Sequence, residues 1–265
     1  MATFRYIGRR RLHLESTDST NARAAELARD PAHTGTVVTA DHQLQGRGQY
    51  GRTWESPPGV NVLLSALVFP PADLRRPAAL TAFAAVAVAE TILIATGRQS
   101  SIKWPNDVLL DGKKVCGILI ECAAGGARPG ADETIEPHAI VGIGLNVNQS
   151  VDDFATASLP DATSLSIAAG QRLGVQEVTE LLIRNLDTEY GGLLDGKLSD
   201  LERRWAAQVG LLERPVAAEL MDGTEVRGHL ATMTLRGLAL LQGDGKSRHL
   251  QPEEVRHLRP IDDGR

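Results

Sequence analysis

The segment Lys103-Trp104-Pro105-Asn106-Asp107 gathers a cation, an amide and a carboxylate at the end of an apolar stretch that a proline terminates. A lysine there is a compact point charge for a phosphate or for charge that develops in a reaction. Asn106 and Asp107 offer hard oxygen atoms to magnesium, which takes one or two protein carboxylates and completes its shell with substrate phosphates and water. A strand end followed by an Asn-Asp turn would use the same residues. Lys114 opens the return strand of a hairpin whose turn is Asp111-Gly112. That turn brings it back beside Asn106 and Asp107, so Lys103 and Lys114 can converge on one anion.

Gly46-Arg47-Gly48-Gln49-Tyr50-Gly51 matches the G-x-G-x-x-G pattern of dinucleotide-binding folds. That pattern works only where a helix opens inside it. Here Arg52-Thr53-Trp54-Glu55-Ser56-Pro57-Pro58-Gly59 follows, and two prolines with a glycine cannot form the body of a helix. The dinucleotide reading therefore fails. A loop with three glycines still exposes backbone N–H groups that can hold an anion, with Arg47 and Arg52 interleaved. The plainer reading is a glycine-rich turn with two solvated arginines. In Gly142-Ile143-Gly144-Leu145-Asn146 the glycines allow a ligand or a neighbouring chain to come close, and Asn146 can read a polar edge such as adenine; a β-bulge explains them equally well. Ser19-Thr20-Asn21 and Gln43 supply donors and acceptors without charge, a set suited to a cyclic urea, whereas a structural helix cap needs only one of them. The chain has no H-E-x-x-H, no Walker A and no nucleophile elbow, and His42 beside the glycine loop is read as incidental.

Positioning these residues takes both helices and strands. A strand over 12–15 should run into the polar cluster 16–21, which starts a helix through Ala24, Leu27 and Ala28 that stops near Asp30-Pro31. Strands are expected over 36–40, 61–69, 102–104, 108–110, 114–121 and 139–147, with an alanine-rich helix between Ala78 and Gly97 and further helices over 176–194 and 197–208. Residues 123–137, rich in Gly, Pro and acids, read as a mobile surface loop. From about Val209 short β-type runs (215–220, 225–231, 237–242) alternate with Asp222-Gly223, Arg236-Gly237 and Gly243-Asp244-Gly245, the pattern of a small β-barrel. Hairpins without regular βαβ crossovers make the larger part α+β with a mixed sheet.

Composition narrows the class. The 265 residues are 42% hydrophobic and 23% charged, ordinary globular usage for a chain long enough to bury a core without disulfides. A formal charge of −5 argues against nucleic acid as a partner, and Arg9-Arg10-Arg11 reads as a solvated terminus. Cys116 and Cys122 lie an even number of residues apart, so on a strand they share a face and read as reduced core thiols of a cytoplasmic protein. No signal-peptide pattern opens the chain. The stretch 78–96 approaches membrane-span length, but its alanines, Glu90 and threonines suit a buried helix, so no membrane association is expected.

Taken in order, these segments resemble the biotin–protein ligases (holocarboxylase synthetases). The likeness rests on Ser19-Thr20-Asn21, Gln43 with the Gly46–Arg52 loop and Trp54, Lys103–Asp107, Lys114 with Gly117, and Gly142–Asn146, and returns at Arg214-Pro215-Val216. It implies a mixed-sheet catalytic domain of the class II synthetase-like biotin/lipoate ligase type over 1–208 and an SH3-like barrel over 209–265. It further implies an ATP-dependent enzyme that makes biotinyl-5'-AMP and passes biotin to a lysine of a biotin carboxyl carrier domain, with biotin, ATP and magnesium bound and no tightly held prosthetic group. Arg47, Lys103 and Lys114 would be catalytic. Ser19, Thr20, Asn21, Gln43, Gly46, Arg47, Gly48, Gln49, Lys114 and Gly117 would bind biotin. Arg47, Arg52, Trp54, Lys103, Asn106 and Asn146 would bind ATP and the adenylate, and Asp107 would face magnesium.

Two departures stand out. Many relatives place a basic residue where this chain has Gln49, which can hydrogen-bond but carries no charge. About a dozen residues precede the first expected strand, too few for the winged-helix DNA-binding domain of some bacterial relatives, so a repressor role is not expected. Relatives act as monomers or homodimers, and the residues favour neither. The alternatives are a lipoate–protein ligase, whose apolar dithiolane has no use for the Ser-Thr-Asn and Gln43 set, and a biotin sensor without catalysis, which would not need two lysines and an Asn-Asp pair.

Overall fold

Runs with little polar alternation, such as 61–69 and 139–147, suit strands covered on both faces. In the computed structural model, which describes residues 4–127, 134–243 and 245–261, they are central neighbours in a seven-stranded sheet. Strand β1 (Arg10–Thr17) leads to helix α1 (Thr20–Leu27), then to β2 (Thr36–Gln43), the glycine-rich segment, β3 (Val62–Val68) and helix α2 (Pro77–Thr96). Strands β4 (Ser100–Lys103), β5 (Asp107–Leu110) and β6 (Lys113–Ala123) follow, then the two-residue strands β7 (Gly126–Ala127) and β8 (Thr134–Ile135), and β9 (His138–Leu145). Helices α3 (Val151–Thr156), α4 (Leu165–Ala169), α5 (Val175–Leu194) and α6 (Leu198–Val209) complete this part.

The strand order is β1-β2-β3-β9-β6-β5-β4. The β1–β2 pair is parallel and the other pairs are antiparallel, so the sheet is mixed, as expected. Strand periodicity splits its residues between two faces. Val62, Leu64, Ala66 and Val68 of β3, Cys116 and Ile118 of β6, and Ala139, Val141, Ile143 and Leu145 of β9 join the main core with α2, α5 and α6. The other face carries a smaller cluster in which Ala24 and Ala28 meet Val38, Leu67 and Ile140. That smaller cluster leaves part of its face open for a site.

Helix α2 is long and apolar enough to cross a membrane by length and composition, but 72% of its most apolar window is buried inside the protein. It closes on Gly97, whose φ of 71° is the left-handed conformation that ends helices. The Asp111-Gly112 turn is likewise as expected, with φ of 53° and 77°, the positive pair of a tight hairpin.

Four expectations are revised. Cys116 is buried but Cys122 is exposed, because burial on their shared face fades along β6 from Cys116 and Ile118 to the partly buried Ile120. Of the loop over 123–137, residues 128–133 lie outside the described residues, and the flanks Gly126–Ala127 and Thr134–Ile135 pair as short strands. Helices α3 and α4 were not anticipated, although Ser150 and Asp153 form a reciprocal capping box at the start of α3. The C-terminal part is a five-stranded antiparallel sheet of β10 (Pro215–Leu220), β11 (Glu225–Met233), β12 (Leu238–Leu241), β13 (Ser247–Leu250) and β14 (Val255–Pro260), in the order β13-β12-β11-β10-β14. This sheet is consistent with a small barrel. Its two edge strands were missed because edges carry polar residues, here Arg248, His249, His257 and Arg259, and lack an apolar run. Asp244, in an expected turn, lies outside the described residues.

Candidate active site

Three cross-strand rows of β3, β9 and β6 form the floor of the site: Leu63-Gly144-Gly117, Ser65-Gly142-Leu119 and Leu67-Ile140-Glu121. A side chain at Gly142 would collide with Asn21, and one at Gly144 with the indole of Trp54; Trp54 also covers Gly117. The glycines are therefore places where neighbouring side chains approach the sheet. Trp54 lies so close that its Nε1 is buried without a partner.

The neutral residues form a linked set at the start of α1. Ser19 has the extended backbone of an N-cap (φ −156°, ψ 135°), yet its side chain makes no cap hydrogen bond. The cap function passes to Gln43, at the end of β2, whose Oε1 accepts from the Thr20 backbone N–H (2.7 Å) and the Thr20 hydroxyl (3.0 Å). Beneath them the buried Ser65 hydroxyl lies 2.7 Å from Thr20 Oγ1 and 2.5 Å from Asn21 Oδ1. Asn21 Nδ2 donates to Glu121 Oε2 at 2.7 Å. Ser19, Thr20 and Asn21 are each about 4% exposed, so their polar atoms face either this network or the cavity.

The charged residues line the same cavity. It is bounded by Ser19, Thr20, Asn21 and Gln43 on one side, Arg47, Gly48, Gln49, Arg52 and Trp54 of the glycine loop on another, and Lys103, Asn106, Asp107, Lys114 and Gly117 on a third. The hairpin brings Lys114 to Asp107 as expected, with Nζ 2.6 Å from Oδ1 and 5.7 Å from the Trp54 ring centroid. Asn106 fastens the hairpin by donating from Nδ2 to Ile118 O at 2.7 Å. Arg47 pairs with Glu121, Nη1 to Oε1 at 3.0 Å and Nη2 to Oε2 at 3.1 Å. The loop closes on itself through Gly48 N–H to Arg52 O (2.7 Å) and Trp54 N–H to Gly46 O (2.9 Å). The amides of Gly48 and Trp54 are thus committed within the loop, which also carries the guanidinium groups of Arg47 and Arg52. Gly46 sits at the loop base, where a side chain would collide with the Trp54 carbonyl.

Two candidates, Gly46 at the loop base and Asn146, do not line the cavity. Asn146 is buried, and its Nδ2 donates to Thr163 O at 3.1 Å. Sequence reasoning missed Ser65, Glu121 and His257. The first two interrupt apolar strands, which is a signal in itself. His257 belongs to β14 and reaches the cavity from the C-terminal sheet, which nothing local announces. That sheet is fastened nearby by Trp104 Nε1, which donates to Val255 O at 2.9 Å, and by Arg256 over the Tyr50 ring at 4.9 Å. Cys116 lies on the far face of β6, and burial pushes its thiol well above the usual range, with Lys114 opposing the shift, so it is no nucleophile.

The chain is similar to known proteins over most of its length. The model of the biotin/lipoate A/B protein ligase family matches residues 13–130. The chain is 34% identical over 218 residues to the bifunctional ligase/repressor BirA of Bacillus spizizenii, covering 82% of this chain and 65% of that protein. It is 33% identical over 249 residues to the biotin--[acetyl-CoA-carboxylase] ligase of Paracoccus denitrificans, covering 91% and 98% respectively. The structure of a biotin protein ligase from Aquifex aeolicus in complex with biotin and ATP superposes with a TM-score of 0.73 at 25% identity, over 96% of this chain and all of that one.

Proposed function

We propose, for a chain that belongs to the biotin protein ligases within the biotin/lipoate A/B protein ligase family, that it activates biotin with ATP and transfers it to a carrier lysine. The observation that carries this reading is one cavity that joins an uncharged hydrogen-bonding slot to a cluster of cations. A neutral bicyclic urea with a carboxylate tail needs both at once.

Ser19, Thr20, Asn21 and Gln43 hold the ureido ring, with Gly46, Gly48, Gln49 and Gly117 closing around the acid. Arg47, Lys103 and Lys114 face the carboxylate and the α-phosphate. Two anions repel each other, so oriented cations are what brings them into line. The carboxylate oxygen attacks the α-phosphorus, the bond to pyrophosphate breaks, and biotinyl-5'-AMP forms. Arg52 and Trp54 lie on the nucleotide side, with Asn106 beside them, and Asn146 is buried outside the cavity lining. The carrier's lysine amine then attacks the acyl carbon, AMP leaves with the bonding pair, and the amine proton passes to solvent. No side chain forms a covalent bond with the substrate, which agrees with the lack of an activated nucleophile.

Magnesium suits the donor set in one way only. Among the described residues no group of three or more His, Cys, Asp or Glu side chains could hold a metal. Asp107 supplies a single carboxylate, the number magnesium takes where phosphates complete its shell. Bound there, the ion would offset charge on the phosphates.

The partner is a biotin carboxyl carrier domain. The cavity is built from one copy of the chain, so this chemistry runs in a monomer or in each protomer of a homodimer. The deciding experiment is transfer of labelled biotin to a carrier domain with and without ATP; no ATP-dependent labelling would overturn the reading. Pyrophosphate release with lipoate in place of biotin tests the rival ligase, and release with lipoate alone would favour it.

A further inference from the structure

We propose that Glu121 is a positioning residue that ties the neutral slot to the glycine loop and sets the orientation of the Asn21 amide. Its carboxylate holds groups from two elements at once, Asn21 Nδ2 of α1 at 2.7 Å and the Arg47 fork at 3.0 and 3.1 Å. It projects from a strand whose residues 115–120 are otherwise apolar or glycine, at the outer end of the floor rows. Nothing in that position calls for a charge except these two partners.

The chemistry of the group matters as much as its place. An ionised carboxylate only accepts hydrogen bonds, whereas an asparagine amide can face either way. Glu121 therefore holds Asn21 with its NH2 toward the carboxylate and its carbonyl oxygen toward Ser65, whose hydroxyl lies within reach of both Asn21 Oδ1 and Thr20 Oγ1. The acid thereby sets which atom of the Asn21 amide donates and which accepts, while Gln43 orients Thr20. The Arg47 contact uses two of the five guanidinium N–H donors, so the side chain is steered and not consumed. Both partners sit at a half-exposed edge, at 45% for Arg47 and 35% for Glu121, where such a pair responds to salt.

The test is Glu121→Gln, which keeps the length and an acceptor oxygen but removes the charge. Trypsin cleavage after Arg47 and Arg52, without substrates, should rise about twofold to fivefold at low salt, the scale of an exposed ion pair. Wild-type cleavage should climb toward the variant's between about 0.05 M and 1 M salt, while the variant's stays flat. The biotin KM should rise about fivefold, with kcat within about twofold, as loss of a ground-state contact requires. Cleavage and KM at wild-type values, or a rise in cleavage that ignores salt, would overturn the proposal. The salt series on the wild-type protein needs no variant, so misfolding of Glu121→Gln leaves it decisive. Only the KM arm rests on the reading of the slot as the biotin site; the cleavage arm stands without it.

Discussion

The two halves of the cavity are built on opposite principles. The neutral slot is buried, and its members hydrogen-bond mainly to one another, with Ser65 at 0% exposure and Asn21 at 4%. The charged half is partly open, and each mapped cation pair uses a nearby carboxylate, Lys114 with Asp107 and Arg47 with Glu121. A neutral ligand gains little from long-range attraction, so its site must be formed in advance from buried groups that would be costly to leave unmade. An anion attracts its cations over several ångströms, so those groups can rest on exchangeable partners at the surface. On the proposed function, the slot would supply selectivity and the rim would supply rate.

Variants at the rim and in the slot should fail in different ways. The largest effect is expected at the rim: Lys114→Ala should lower biotin-dependent pyrophosphate release about 10²–10³-fold, the loss typical of one electrostatic group at a reacting centre, with an unchanged melting temperature. Unchanged release would remove Lys114 from the chemistry and break the comparison. Next is the slot floor. Gly142→Ala places a methyl group against Asn21, and the biotin KM should rise about tenfold through loss of a buried hydrogen bond and its alignment. A normal KM would show that Asn21 can move without cost. Ser65→Ala leaves one acceptor of Asn21 unmet and should raise the same KM about fivefold. That rise should be equal at low and high salt; a salt-sensitive loss would erase the distinction between slot and rim. The smallest change is Gln49→Arg, which adds a cation to the loop. Release of biotinyl-5'-AMP should slow severalfold, on the order of an exposed ion pair; identical off-rates would show that the missing charge at Gln49 has no consequence.

Much of this was legible in the chain. Glycine and asparagine-type turn residues act locally, so the Asp111-Gly112 hairpin predicted that Lys114 would return to Asp107, and it does. The break in helical character after Gly51 excluded a dinucleotide fold without any coordinates. Strand parity correctly put Cys116 and Cys122 on one face, yet not how far the covering helices reach, so the exposure of Cys122 was missed. Edge strands such as β13 and β14 were missed for a related reason: periodicity reports burial, and an edge has little of it.

Local chemistry along the chain, then, determined which residue types stand in which order, which turns reverse direction, and that an uncharged set and a cationic set both exist. Only tertiary structure decided which of them meet. Ser65 became part of the slot because antiparallel register set it beside Gly142 under α1. Glu121 became the shared partner of Asn21 and Arg47, residues 100 and 74 positions away, and His257 arrived from the C-terminal sheet. The physical reason is that turn and cap preferences act over a few bonds, whereas hydrogen bonds and ion pairs depend on distances in space that strand register and helix packing impose.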